Sequence, residues 1–163
     1  MLHSLFNYIT IMESIGSTVD FVRSNEGCIL HPYLDTSDTP TIGWGNTRYM
    51  DGTYVQMTDP PISQAQADML NMWEVRVIGF AVNAATTGLN LTQNQFDALV
   101  DFAYNEGVFA LYNSTLLKVI RGQSTVALED AFTMWDKDHE NGKLVVNTDL
   151  YNRRVKEYNL YVS

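Results

Sequence analysis

The paired prolines Pro60-Pro61 separate two stretches of different hydrophobic period, and that break constrains the fold more than any other feature of the chain. Proline has no amide proton and a fixed φ, so neither a helix nor an interior strand runs through the pair. Before it stand short runs rich in β-branched and aromatic residues, bounded by turn formers; after it, apolar residues recur at spacings of three and four. The expected class is α+β: a small antiparallel sheet lobe, a connecting helix and a larger helical lobe, with a cleft between the lobes.

The pattern predicts individual elements. Thr18 to Glu26 reads as a short helix with Phe21 inward and Gly27 just past its end, the usual site of a left-handed cap. Cys28 to Leu34, Thr41 to Asn46 and Thr53 to Met57 read as strands, with Asp51-Gly52 as a hairpin turn before the third. After the prolines everything reads as helix. Ser63 with Gln66 has the capping-box pattern and opens a helix over 64–85; Thr92 with Gln95 repeats it, and Gly107 stops that second helix. Ser114 starts a shorter helix ending at Gly122. Ser124 starts another whose buried stripe is Leu128, Ala131, Phe132 and Trp135, and a last helix covers about 149–161.

At 163 residues and 45% hydrophobic, the chain suits one domain over 1–163: a helix and sheet lobe at about 13–62, the connecting helix at 63–85 and a helical lobe at 86–163. Residues 1–12, "MLHSLFNYITIM", fall short of the ~20 apolar residues that span a bilayer and lack a basic start, so they read as a short extra helix or an arm. No stable membrane insertion is expected. Cys28 is the only cysteine, which excludes an internal disulfide. The net charge is −9, and residues 1–117 carry the whole excess, with three Lys/Arg against twelve Asp/Glu. Such a surface repels polyanions, so nucleic acid is not an expected partner. Nothing in the pattern asks for more than a monomer.

Within "NEGCILHPYLDTSDTPTIGWGNT" stand two carboxyls of different setting. Glycoside hydrolysis needs one protonated carboxyl to donate to the leaving oxygen and a second group that is ionised or holds a water. Glu26, at a helix C-terminus, faces the negative end of the helix dipole, which favours its protonated form. Asp35 follows a strand in a polar turn that favours ionisation, and Thr41 offers a hydroxyl to orient water. Singly, each is more often a helix-end acid, a turn former or a strand residue. Jointly, E-x8-D-x5-T-I-G-x-G is expected by chance in roughly one in 10⁵ chains of this size.

This region resembles the catalytic region of the phage-type lysozymes, glycoside hydrolase family 24, to which the T-even phage lysozyme belongs. The likeness covers about residues 18–161. "LTQNQFDALVDFAYNEG" is similar to the family's C-lobe helix, "STLLKVI" to the next, and "LYNRRVKEYNLY" to its closing Arg-Arg helix. The resemblance implies Glu26 as general acid, Asp35 as the carboxylate that positions or activates water, and Thr41 as the residue that holds it. It also implies sugar contacts at Tyr104 and Asn105, and an arginine beside the acid, chosen here as Arg153 over Arg154. The implied reaction is hydrolysis of the β-1,4 bond between N-acetylmuramic acid and N-acetylglucosamine in peptidoglycan, with inversion, which needs carboxyls roughly 6.5–9.5 Å apart. Two positions depart from the family: Asp38 stands where a glycine is usual in the loop, and Asn46 where a histidine often follows "TIGWG".

Trp44 and Tyr33 read first as core aromatics and second as sugar platforms. Cys28 reads as buried, and three histidines without ligand spacing predict no metal and no cofactor. The rival functions are a peptidoglycan-binding module without turnover, a virion-associated lysozyme, and a transglycosylase making anhydro ends. The lack of an export signal suits an endolysin held in the host cytoplasm until release to the wall.

Overall fold

The structure, a computed structural model, describes residues 15–140 and 143–163. The expectation for residues 1–12 lies outside the described residues. The chain is α+β and forms two compact units, Met1–Val77 and Ile78–Ser163.

In the first unit, helix α1 spans 15–25 and buries Thr18, Val19 and Val22. These positions share one helical face, so the inward residue is Val22, and the expected Phe21 is only half-buried. Strands β1 (Ile29–Leu34) and β2 (Pro40–Gly43) pair antiparallel, with Tyr33 opposite Thr41 and a register shift between Ile29 and Tyr33. The expected strand to Asn46 ends at Gly43. Gly43 and Gly45 take φ of 67° and 89°, turning the chain so that Ile42 and Asn46 exchange backbone hydrogen bonds of 2.9 Å. A third strand over Thr53–Met57 does not form. Only a single bridge, Arg48 with Tyr54, appears there, because Val55 alone of that run is buried and the other side chains gain nothing from a sheet face. Val55 packs with Ile42 and Leu70 in a core bordered by Tyr49, Ile62 and Trp73. Past the prolines, the Ile62 amide donates to Leu30 O at 2.8 Å, tying the break back to β1.

Helix α2 (Gln64–Ala85) starts where the capping box predicts, with the Ser63 amide donating to Gln66 Oε1 at 2.8 Å and the Gln66 amide to Ser63 Oγ at 3.3 Å. Among the described residues, no helix is long and apolar enough to cross a membrane.

The second unit contains α3 (Gln93–Glu106), with the full Thr92–Gln95 box, then α4 (Val108–Asn113), α5 (Thr115–Ile120), α6 (Leu128–Thr133) and α7 (Thr148–Val162). Helix α4 is an addition to the expected set. Helix α6 starts four residues later than the Ser124 signal, because the Ser124 hydroxyl accepts from the Val126 amide in a local turn. Strands β3 (Lys137–Glu140) and β4 (Lys143–Val146) overturn the all-helical expectation after the prolines. All of β4 is exposed, so no apolar alternation marks it in the sequence. Phe102, fully buried, meets Phe132 and Trp135 edge to face at centroid distances of 6.4 and 5.4 Å, with the Arg154 guanidinium 4.9 Å above its ring.

Phe102→Ala removes the ring that these groups share and leaves a cavity. Urea unfolding should show a loss of about 3–5 kcal/mol.

Candidate active site

The first unit brings Glu26, Asp35 and Thr41 around one tyrosine. Tyr33 stands opposite Thr41 on the β1–β2 ladder. Its phenol pKa is raised by burial first and then by the charges of Glu26, Asp35 and Cys28, so both carboxyls act on one ring. Glu26 follows the last turn of α1, its amide donating to Arg23 O at 3.3 Å, and is half-buried.

Asp35 opens the turn between the strands. Its Oδ1 accepts from the amides of Ser37 at 2.8 Å and Thr39 at 2.9 Å, which fixes the carboxylate in the turn. Oδ2 accepts no hydrogen bond among the described residues. The turn passes through Asp38 at φ 58°, the one non-glycine with positive φ among the described residues, so the departure from glycine keeps the left-handed conformation. Thr41 is 2% exposed, and its hydroxyl donates to Thr39 O at 2.9 Å. With its proton committed, Oγ1 can only accept, which suits holding a water through the water's own O–H.

Arg23 fixes this end of the unit. Its Nε donates to Asn71 Oδ1 at 2.9 Å and its Nη2 to Asp68 O at 3.0 Å, and the guanidinium lies 5.2 Å from the Trp44 ring centroid. Trp44 Nε1 donates to Asp68 Oδ1 at 2.9 Å, as does Gln64 Nε2. The Trp44 bond, followed by that of Gln64, holds Asp68 below the usual carboxylate range. Trp44 is therefore a half-buried pinned side chain rather than core. Cys28 is also half-buried, 3.5 Å from Gln64 Nε2, which corrects the expectation of full burial.

The residue that the motif reading missed is Glu74. Its carboxyl accepts from Asn46 Nδ2, and Asn46 is fully buried. Burial pushes Glu74 up to about 7; the Asn46 bond opposes this, the Glu26 charge adds to it and Arg48 opposes it.

In the second unit, Arg153 donates to both oxygens of Asp101, at 3.0 and 2.9 Å, and both residues are buried. Arg154 donates to Glu106 at 2.8 Å, Asn105 Oδ1 at 3.0 Å and Glu157 at 2.6 Å. Burial pushes Glu157 well above its ordinary value against the Arg154 charge, and Glu106 upward too. The Arg-Arg pair thus holds the end of α3 that carries Tyr104 and Asn105, the latter exposed.

With this arrangement in view, residues 23–157 match the phage lysozyme family. The chain belongs to that family. It is 35% identical over 154 residues to an endolysin of Bacillus phage PZA, covering 93% of this chain and 56% of that protein, so it spans about half of that relative's length. It is 28% identical to an endolysin of Salmonella phage P22, covering 94% of this chain and 100% of that one. A solved endolysin of Escherichia coli O157:H7 phage FAHEc1 shares 35% identity and superposes with a TM-score of 0.77 over 90% of each chain. The family match spans Glu26, Asp35, Thr41 and Glu74 in the first unit, and α3 to most of α7 in the second.

Glu74 gives this phage lysozyme relative a stability signature. Its folded pKa of about 7 lies above the ordinary 4.5, so the native state binds more protons between those values, and stability falls as pH rises from about 4.5 to about 7. Thermal melts across that window should show a decline worth on the order of 3 kcal/mol, and Glu74→Gln should flatten it.

Proposed function

We propose that this chain is a muramidase of glycoside hydrolase family 24, cutting the β-1,4 bond between N-acetylmuramic acid and N-acetylglucosamine in peptidoglycan with inversion. The observation that carries this reading is the grouping of Glu26 and Asp35 around the Tyr33–Thr41 pair, in a chain of the phage lysozyme family. Glu26, at the negative end of α1, donates its proton to the leaving glycosidic oxygen. Asp35 keeps Oδ1 on the turn amides and uses Oδ2 to take a proton from the attacking water. Thr41 Oγ1 accepts the water's second O–H, which aims an oxygen lone pair at the anomeric carbon. From the second unit, Tyr104 and Asn105 are assigned to sugar contact. Arg153 serves by holding Asp101, and so the helix that carries them.

The biological setting consistent with this reading is a phage endolysin that waits in the host cytoplasm, reaches the wall on release and lyses the cell, acting as a monomer without cofactor.

Digestion of purified peptidoglycan, with the reducing ends and the released anomer read by mass spectrometry and NMR, tests the proposal. Wild type should give hydrolytic muramic ends with inverted configuration, and Glu26→Gln should lose about 10²–10⁴-fold in rate while melting normally. Binding without new ends from a folded wild type would overturn the catalytic reading, and anhydro ends would replace hydrolysis by transglycosylation.

A further inference from the structure

The β1–β2 ladder puts a third side chain beside the water that Asp35 and Thr41 are assigned to hold. Tyr33 stands opposite Thr41, and the ladder runs on past the strand ends, with the Asp35 amide donating to Thr39 O at 3.1 Å. Residues opposite each other in an antiparallel pair share a face, and so do residues two apart on one strand. Tyr33, Asp35, Thr39 and Thr41 therefore line one face. At the usual spacings Tyr33 lies about 5 Å from Thr41 at Cβ and roughly 7 Å along the strand from Asp35.

The hydrogen bonds divide this face. Asp35 Oδ1 is turned into the loop, to the amides of Ser37 and Thr39, which leaves Oδ2 on the side of the ladder. The Thr41 hydroxyl has committed its proton to Thr39 O. Both groups then meet a water as acceptors, and each takes one of its protons. A water so held has two lone pairs left: one must face the anomeric carbon, and the other is open to a donor. Two side chains on this face carry a donor proton that no group among the described residues accepts, the phenol of Tyr33 and the hydroxyl of Thr39. Thr39 is short and sits at the loop end with Oδ1. Tyr33 is half-buried on the ladder side and is the longer by a ring. Burial first, and then the negative charges of Glu26, Asp35 and Cys28, keeps its phenol protonated.

We infer that Tyr33 is a third ligand of the attacking water: its phenol O–H donates to the water oxygen, so that the one lone pair left free points at the anomeric carbon. The inference rests on the inverting muramidase reading, in which that water is the nucleophile. As the bond from water oxygen to anomeric carbon forms, the glycosidic bond breaks, and its electron pair stays on the leaving oxygen, which takes the Glu26 proton. Asp35 Oδ2 receives one water proton, and the other remains on the new anomeric hydroxyl. Tyr33 keeps its own proton throughout. Its part is alignment: without the third contact the water turns about the axis through its two acceptors, and fewer approaches are productive.

The test is Tyr33→Phe in the full purified chain, which keeps the ring and removes only the hydroxyl. On soluble peptidoglycan fragments kcat should fall about 10-fold with KM unchanged, and thermal melts should match wild type. Thr41→Val should lower kcat as well, and the double variant should lose less than the product of the two single losses, because both changes disturb one water. A fully multiplicative loss would overturn the inference, as would a kcat equal to that of wild type. A rise in KM at constant kcat would replace it with a sugar contact, and a larger kcat loss in Thr39→Val than in Tyr33→Phe would give the donor role to Thr39. Should wild type make no hydrolytic ends, the muramidase reading fails and takes the inference with it; a hydrolytic wild type matched by Tyr33→Phe sinks the inference alone.

Discussion

Arg23 is the interaction on which the first unit depends. One guanidinium spans the α1–α2 contact by bonding Asn71 and the Asp68 carbonyl, lies over the Trp44 ring and meets the Asp68 carboxylate at 3.4 Å. Three separate pieces of chain are fixed by it: the helix that leads into Glu26, the helix that carries Glu74, and the glycine-bounded turn after β2. An arginine suits this task because its planar fork offers several donors at fixed angles and a face for an aromatic ring. The arrangement leaves Glu26 just beyond a rigid turn rather than on a free loop, which is what a proton donor needs if it is to meet a fixed oxygen.

The elements with local signals were legible in the sequence. Both capping boxes act through hydrogen bonds between residues three apart, so Ser63–Gln66 and Thr92–Gln95 announced their helices without any knowledge of packing. The resemblance alone marked Asp38, as standing where a glycine is usual, and its turn takes φ 58°. The spacing of Glu26, Asp35 and Thr41 singled them out because a helix end, a strand and a turn of fixed length leave little freedom in where three such residues fall.

What was not legible depends on partners distant in sequence. The Thr53–Met57 run has β-branched residues but no sheet face to lie on, and only Val55 finds the core. Of the β3–β4 pair, the second strand is exposed throughout and lacks the alternation that separates strand from helix. Trp135 looked like part of a helical stripe and does pack on Phe102, but from outside α6. Glu74 gave no sign at all. On α2 it is one more charged residue, and its burial against Asn46 appears only when the turn after β2 folds onto that helix.

Burial first and charge balance second raise Glu74 and Glu157, and Glu106 with them. In the second unit three carboxyls, Asp101, Glu106 and Glu157, meet two guanidiniums. Asp101 has Arg153 bidentately and Glu106 has one nitrogen of Arg154, so Glu157, fully buried, shares both arginines and is pushed up by that burial. In the first unit Asn46 stands where the family resemblance places a histidine. A histidine could carry a positive charge and keep a buried neighbour ionised; an amide supplies one hydrogen bond and no charge, so burial wins. In each unit burial raises a carboxyl that has no cation to itself, and in the helical unit it raises Glu106 as well. The difference lies in what stands next to it: in the helical unit only structural ion pairs, and in the sheet unit the candidate acid.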